Sequence, residues 1–330
     1  MNRAIILAGG SGKRLWPLSR KDNPKQLLKL FSNKTLIEES VDRISPIVDS
    51  VTISLGKNIQ SVTRKVLPKV NFIVEPLMKD TAPAIGLCAV SFDENDILIF
   101  TPSDAYITPK EKFQSTIKEA ILLAEEKDCI VTIGINPNRA ADCYGYLEPD
   151  EKIAGKVKSF REKPSMNMAQ VFVKSGFLWN AGIFVCRAKV LLNLFKEHAP
   201  DIYALLLKIK EGGNVEKIYS KMEKISFDFA VMEEAKDVYF VPAQFFWDDV
   251  GGFESIHKLL GENNSIINTN LIEENSKNNL VCSNLKKTIA LIDCEDLIVV
   301  DTKDVTLVCK KSSASKIKSF VEEKVSEELK

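Results

Sequence analysis

Short runs of aliphatic and β-branched residues recur along the first half of the chain, at 4–7, 50–54, 71–74, 96–100 and 129–133. Runs of this length read as strands buried on both faces of a sheet. Amphipathic helical patterns fill the intervals, at 35–44, 82–92 and 112–125. Strand and helix alternating in this way predict an α/β protein with a parallel sheet covered by helices on both faces. Ligands of such sheets bind beyond the carboxyl ends of the strands.

After Gly145 the rhythm changes. Runs at 156–162, 182–186 and 238–241 read as strands in a mixed extension of the sheet, and 191–208 and 215–222 as helices. Residues 261–279, GENNSIINTNLIEENSKNN, are polar and asparagine-rich and read as a linker. Three β-type runs follow at 288–292, 297–300 and 305–309, and a final amphipathic helix at 315–329. The expected division is therefore 1–260 for a large α/β domain, and 261–330 for a linker, a small β-segment and a terminal helix. So short a β-unit must pack against something. A subunit interface, and with it a homodimer, is expected.

A chain of 330 residues has room for this arrangement. Lys+Arg and Asp+Glu both number 45, so no global charge draws in nucleic acid or an anionic membrane, and any phosphate site must be local. The apolar run at 4–8 gives way at once to glycines and charges, which predicts neither a signal peptide nor a spanning segment. Seven cysteines without a CxxC pair read as reduced thiols, so a cytoplasmic location is expected. Of these, Cys143 is the one placed near candidate site residues. The two histidines, His198 and His257, sit in helical contexts that suit surface or capping positions. Carboxylates and cationic side chains must then carry the chemistry.

The first strand run opens into LAGGSGKRLWPLS, residues 7–19, followed by PKQ at 24–26. Glycines after a strand let several backbone N–H groups close on a polyphosphate, because no Cβ blocks the approach. Lys13 and Arg14 add charge, and Arg14 can grip phosphate oxygens bidentately. A P-loop would need Gly at Leu7 and Ser or Thr at Arg14, and a dinucleotide fingerprint would need Gly at Leu15. Taken alone, the segment also reads as a glycine turn with solvated charges.

GGSGKRLWPLS with PKQ resembles the signature of the sugar nucleotidyltransferases, and within them the mannose-1-phosphate guanylyltransferases. The resemblance continues in order through EPLMKDTAPAIG (75–86), TPSDAYI (101–107), YGYLEP (144–149), FREKP (160–164), LWNAGIFV (178–185), FDFAVME (227–233), WDDVGGFESI (247–256) and VVDTKDVTLV (299–308). It implies a Rossmann-like, mixed but mostly parallel sheet, with a small C-terminal β-helix-like segment and terminal helix. The implied reaction is mannose 1-phosphate plus GTP giving GDP-mannose and pyrophosphate, with Mg²⁺. It also implies a nucleotide site at Leu7, Ala8, Gly9, Gly10, Gly12, Lys13, Arg14, Lys25, Thr81, Pro83 and Ser103. Asp104 and Asp249 would hold the metal, with Asp248 a bystander. Gly145, Glu162, Lys163 and Asn180 would take the sugar phosphate. Arg14, Lys25, Asp104, Lys163 and Asp249 form the implied catalytic set. Each has a plainer reading alone: solvated lysines, a turn at WNAG, a turn or cap at either aspartate.

Such residues suit the reaction. A phosphate monoester is already ionised at neutral pH, its second pKa being about 6, so no general base is required. The obstacle is one anion attacking another, which cations relieve. The chain departs from the family at Ala105, where His is common, at Asp80, where Asn is usual, and at Lys79, where Arg is common. Larger relatives add an isomerase domain with its own histidines, and isomerase activity is not expected here. Two other readings stand beside the main one. One is a transferase for glucose 1-phosphate with UTP, dTTP or ATP; the other is an inactive sugar-nucleotide-binding regulator, which should have lost Asp104, Asp249, Lys25 or Lys163.

Overall fold

The computed structural model describes residues 1–10, 12–261 and 263–330; Ser11 in the glycine loop and Glu262 in the polar run lie outside the described residues. The first apolar run forms β1 (Asn2–Leu7), which pairs in parallel with β2 (Ser50–Gly56), and β2 pairs with β3 (Asn71–Glu75). On its other side β1 pairs with β4 (Ile97–Pro102), so the sheet grows first one way and then the other from β1. Neighbouring strands therefore send their loops apart at the ends of β1 and β4, and this divergence opens a crevice.

Alternation along each strand fixes the two faces. Ala4, Ile6, Ile97 and Ile99 pack against Ile37, Phe113 and Ile117 of helices Leu36–Ile44 and Lys110–Lys127. Ile5, Leu98 and Phe100 point the opposite way, onto Ile85, Leu191 and Leu206 of helices Thr81–Ala89, Ala188–His198 and Pro200–Lys210. Each fully buried side chain of this kind contributes about 1.5–3 kcal/mol. Pro200 divides the single helix expected at 191–208 into two, since its missing N–H and ring cannot continue a turn.

The expected mixed extension is present. β5 (Tyr106–Thr108) precedes β6 (Ile130–Ile135), and a β7 (Tyr146–Pro149) and β8 (Val157–Arg161) hairpin follows. β9 (Leu178–Arg187) runs antiparallel between β4 and β6, and its first residues also pair with β7. β10 (Val238–Pro242) joins β6 in parallel, while β11 (Phe246–Asp248) forms a short antiparallel ribbon with β5. In that ribbon Asp248 is opposite Tyr106, which brings the segments carrying Asp104 and Asp249 to the same end.

The polar run 261–279 is not a linker. It forms β12 (Ser265–Ile267) and β13 (Asn270–Glu274), and β14 (Leu280–Ser283), β15 (Thr288–Ile292) and β16 (Leu297–Asp301) stack on them in parallel. β17 (Thr306–Lys310) closes the stack antiparallel to β16. Side-chain bonds repeat across coils at a separation of 18 residues. The asparagines are structural. Asn275, Asn278, Asp293 and Asp296 take positive φ at the corners, a conformation their short polar side chains tolerate. Asn279 is fully buried, donating to Asn264 Oδ1 and Cys294 O and accepting from the Leu297 N–H, each at 2.9 Å. His257, read above as a surface or capping residue, is buried, with Nε2 3.0 Å from Asn278 Oδ1.

This coil docks on the α/β unit through one shared core. Ile267, Leu280, Ile298, Ile317 and Val321 join Leu15, Trp16, Leu36, Phe253 and Ile256. The terminal helix is shorter than expected, Ile317–Lys324, with 3₁₀ turns on both sides. No helix among the described residues is long and apolar enough to cross a membrane.

Asn279→Ala would leave the Leu297 N–H unpaired in the interior, while the Cys294 carbonyl would keep only the Lys277 N–H. A loss of about 1–3 kcal/mol is expected from denaturant unfolding. An unchanged midpoint would mean that the ladder does not support the coil.

Candidate active site

Two adjoining cavities occupy the crevice between β1 and β4. The larger, about 400 Å³, extends from Gly9, Gly10, Glu75 and Thr81 to Tyr144, Glu162, Asn180 and Asp228. The smaller, about 300 Å³, lies over the glycine loop between Gly12, Lys13, Arg14, Lys25 and Lys318. Gly10, Asp104 and Asp249 line both cavities, so the two carboxylates stand at the boundary.

The loop needs its glycines for different reasons. Gly10 has φ 111 and Gly12 φ 59. A Cβ on Gly12 would also come within 2.7 Å of Lys25 Cβ and 2.5 Å of Ser19 Oγ. The close approach lets Lys25, in the 3₁₀ turn Lys25–Leu27 after Pro24, reach across the crevice. Its ammonium is 2.8 Å from Asp104 Oδ2 and donates to the Asp249 carbonyl. Asp249 Oδ1 accepts from the Tyr144 hydroxyl at 2.7 Å. Burial, and then Asp249, push the Tyr144 hydroxyl pKa up, so it stays a donor. Asp248 faces away and accepts from the Val250 N–H and Ser255, in keeping with a bystander. Val250 itself is fully buried at φ 49, a strained conformation for a β-branched residue. The strain sits directly beside Asp249.

Asp104 and Asp249 offer hard oxygen donors, and among the described residues no third His, Cys, Asp or Glu joins them. Two carboxylates with the remaining positions left to phosphate oxygens and water suit a divalent ion such as magnesium. The residues fit the group.

At the far end of the larger cavity Glu162 is buried and pairs with half-exposed Lys163 at 2.8 Å. Burial draws the Lys163 pKa down, but Glu162 more than offsets it, and the net shift is upward. A Cβ on Gly145 would stand 2.6 Å from Glu162 Oε2, so this glycine makes room for the carboxylate. Asn180 is held from behind: its Oδ1 accepts from Thr132 at 2.8 Å and from the Gly182 N–H at 3.1 Å, and its Nδ2 donates to Asp228 Oδ1 at 3.0 Å.

Other expected residues stand apart. Ala8, Pro83 and Ser103 are buried and line neither cavity; Ala8 bonds to Ser54 and Gln26, and the Ser103 N–H donates to Leu7 O. Lys13 lines the smaller cavity but is paired to Glu322 at 3.0 Å. Leu7, Gly9 and Thr81 line the larger cavity, as do Ala105 and exposed Cys143. Asp80, at φ 69, caps helix Thr81–Ala89 by accepting from the Thr81 N–H. Three site residues escape sequence reasoning: Tyr144, Asp228 and Glu75. Tyr144 and Asp228 lie within the YGYLEP and FDFAVME motifs, and Glu75 opens EPLMKDTAPAIG, so the signal is present without a role attached.

Asp228 opens the π-helical turn Asp228–Met232, a local irregularity that re-aims side chains. Burial, and then Glu162 nearby, push its carboxyl up to about 7 from 3.8. The folded protein therefore favours the protonated acid. That contribution to stability is complete below about pH 3.8 and is lost as pH rises through about 7. Asp228→Asn, which cannot ionise, should gain melting temperature relative to the parent protein as pH is raised from about 4 to about 8. A difference constant across this range would overturn the assignment.

Residues 3–264 match the nucleotidyl transferase family, and residues 269–323 the MannoseP isomerase/GMP-like beta-helix domain. Mannose-1-phosphate guanylyltransferase 2 of Escherichia coli O157:H7 is 32% identical over 97% of this chain and 72% of its own. The mannose-1-phosphate guanylyltransferase of Salmonella muenchen is 30% identical over 96% and 72%. The crystal structure of mannose-1-phosphate geranyltransferase from Thermus thermophilus superposes with a TM-score of 0.91 at 29% identity, covering 97% of this chain and 98% of that one. Nucleotidyltransferases of this family generally use divalent metal ions. With a glycine loop, two carboxylates and their lysine at the switch point of the sheet, the chain belongs to the nucleotidyl transferase family.

Proposed function

We propose that the chain transfers a guanylyl group from GTP to mannose 1-phosphate, giving GDP-mannose and pyrophosphate. The observation that carries the reading is the wall formed by Asp104 and Asp249, common to a cationic cavity and an acid-lined one. The triphosphate belongs in the cavity of Gly12, Arg14 and Lys25, which glycine backbone and cations line together. The sugar belongs beside Glu162, Asn180 and Asp228, whose polar atoms suit hydroxyl groups. Lys163, at the rim, is placed to hold the sugar phosphate. The base belongs near Glu75, Asp80 and Met78. The named activities of the relatives support mannose 1-phosphate and GTP as the pair.

The sugar phosphate arrives ionised, so this chain's task is to align two anions and offset the charge that develops between them. Lys25 is fixed by its bonds to Asp104 and to the Asp249 carbonyl, and holds both segments in register across the reacting phosphate. Tyr144 fixes one Asp249 oxygen and leaves the other for coordination. Asp104 and Asp249 would hold Mg²⁺, which would supply Lewis-acid stabilisation of the phosphate charge. Arg14 meets the charge of the departing pyrophosphate.

A cytoplasmic location and a homodimer belong to the same proposal. All seven cysteines are free thiols, which supports the first. Ile272, Ile292 and Val308 are exposed on the coil, which supports the second.

The test is pyrophosphate release with Mg²⁺, crossing GTP, ATP, UTP, dTTP and CTP against mannose and glucose 1-phosphates. The maximum is expected at GTP with mannose 1-phosphate, and a maximum elsewhere would reassign the substrate. Asp104→Ala and Asp249→Ala should each lower kcat by roughly 10²–10³-fold or more without unfolding the protein. Wild-type turnover in either would remove the metal assignment. Lys163→Ala should raise the KM for the sugar phosphate more than that for GTP, and an effect confined to GTP would reverse its role.

A further inference from the structure

The smaller cavity has one wall outside the α/β unit. Lys318, on the terminal helix Ile317–Lys324, lines it together with Arg14 and Lys25. Helix and loop are held together along their length. Ile317 and Val321 are buried in the core shared with Leu15 and Trp16, which sets the helix's rotation. Glu322, four residues and about one turn beyond Lys318, pairs with Lys13 of the glycine loop at 3.0 Å. The Trp16 indole N–H donates to Leu329 O at 2.7 Å, and the Lys21 N–H to Lys330 O at 3.1 Å. Arg20 grips Asp304 through two bonds of 2.8 and 2.7 Å. The helix is thus fixed against the loop that must cradle phosphates.

The charges of this cavity are unequally committed. Lys25 is paired with Asp104 and Lys13 with Glu322. Among the described residues Arg14 and Lys318 form no ion pair, so they are the two cations of the cavity left for a ligand. A multiply charged polyphosphate needs such uncommitted positive charge.

We infer that Lys318 binds the β- and γ-phosphates of the nucleotide, and the pyrophosphate formed from them, so that the C-terminal helix is part of the active site. The inference rests on the nucleotidyltransferase reading above. It assigns to the terminal helix a direct part in substrate binding, in addition to packing against the α/β unit.

The test compares Lys318→Ala and Lys318→Arg with Lys324→Ala, which removes the same charge from an exposed position of the helix outside the cavity. Forward KM values for GTP and for mannose 1-phosphate, the reverse KM for pyrophosphate, and calorimetric binding of pyrophosphate would be measured. Lys318→Ala should raise the GTP and pyrophosphate constants about tenfold, the loss expected for one charge-assisted hydrogen bond. The mannose 1-phosphate KM should stay within about twofold, and Lys318→Arg should recover most of the loss. Equal pyrophosphate affinity in Lys318→Ala and the parent protein would overturn the inference, as would an equal loss in Lys324→Ala, which would reduce the effect to general electrostatics. If the parent protein released no pyrophosphate from any substrate pair, the proposed reaction would fall, while calorimetry would still decide the role of Lys318.

Discussion

The site depends on one nearly buried ammonium. Lys25 is only 8% exposed, and a charge so placed must be paired or it destabilises the fold. Its partners, the Asp104 carboxylate and the Asp249 carbonyl, belong to segments far apart in the chain. Satisfying one lysine therefore assembles the crevice. Gly12 must lack a Cβ for Lys25 to pass, the β5–β11 ribbon must hold its register, and Tyr144 must anchor Asp249. Remove the ammonium and Asp104 loses its counter-charge and the Asp249 carbonyl its donor.

A second electrostatic arrangement complements the first. Where the smaller cavity gathers cations, the larger gathers acids: Glu75, Asp80, Glu162 and Asp228. Burial raises the pKa of both Glu75 and Asp228. Asp228, raised to about 7, can donate as well as accept, which suits neutral hydroxyls better than phosphates. The molecule thus separates anionic from neutral portions of its ligands before any contact specific to either is made.

Much of this is legible in the sequence. Residues 4–7, and 97–100 of the run 96–100, announce themselves as strands because burial on both faces leaves no polar position there, and the loop after 4–7 marks the switch point. The glycine loop, both aspartates and Lys25, named from the resemblance, line one cavity. The polar run 261–279 reads wrongly as a linker because asparagine serves a linker and a coil corner equally well, and three short coils with unequal steps of 15 and 18 residues give no repeat that stands out. Asp228 is hidden because its placement comes from an irregular turn, and Lys318 because only tertiary packing carries it to the loop. Asn180, expected at the sugar, lines the larger cavity, and tertiary contacts unseen in the sequence fix it there: its carbonyl accepts from Thr132 and Gly182 and its amide donates to Asp228.

The coil's period also constrains how this part of the chain can change length. Ladder partners lie 15 residues apart between β12 and β14 and 18 apart between β14 and β16, and within each strand the faces alternate, so one residue added inside a strand would turn Asn279 outward and an apolar neighbour into the corner. Insertions should be tolerated at the corners, where the coils already differ by three residues, or as whole rungs. A whole extra rung would lengthen the stem that carries Lys318 by one inter-strand spacing, about 4.8 Å, and carry the helix off the glycine loop. The number of coils is thus a ruler for the active site.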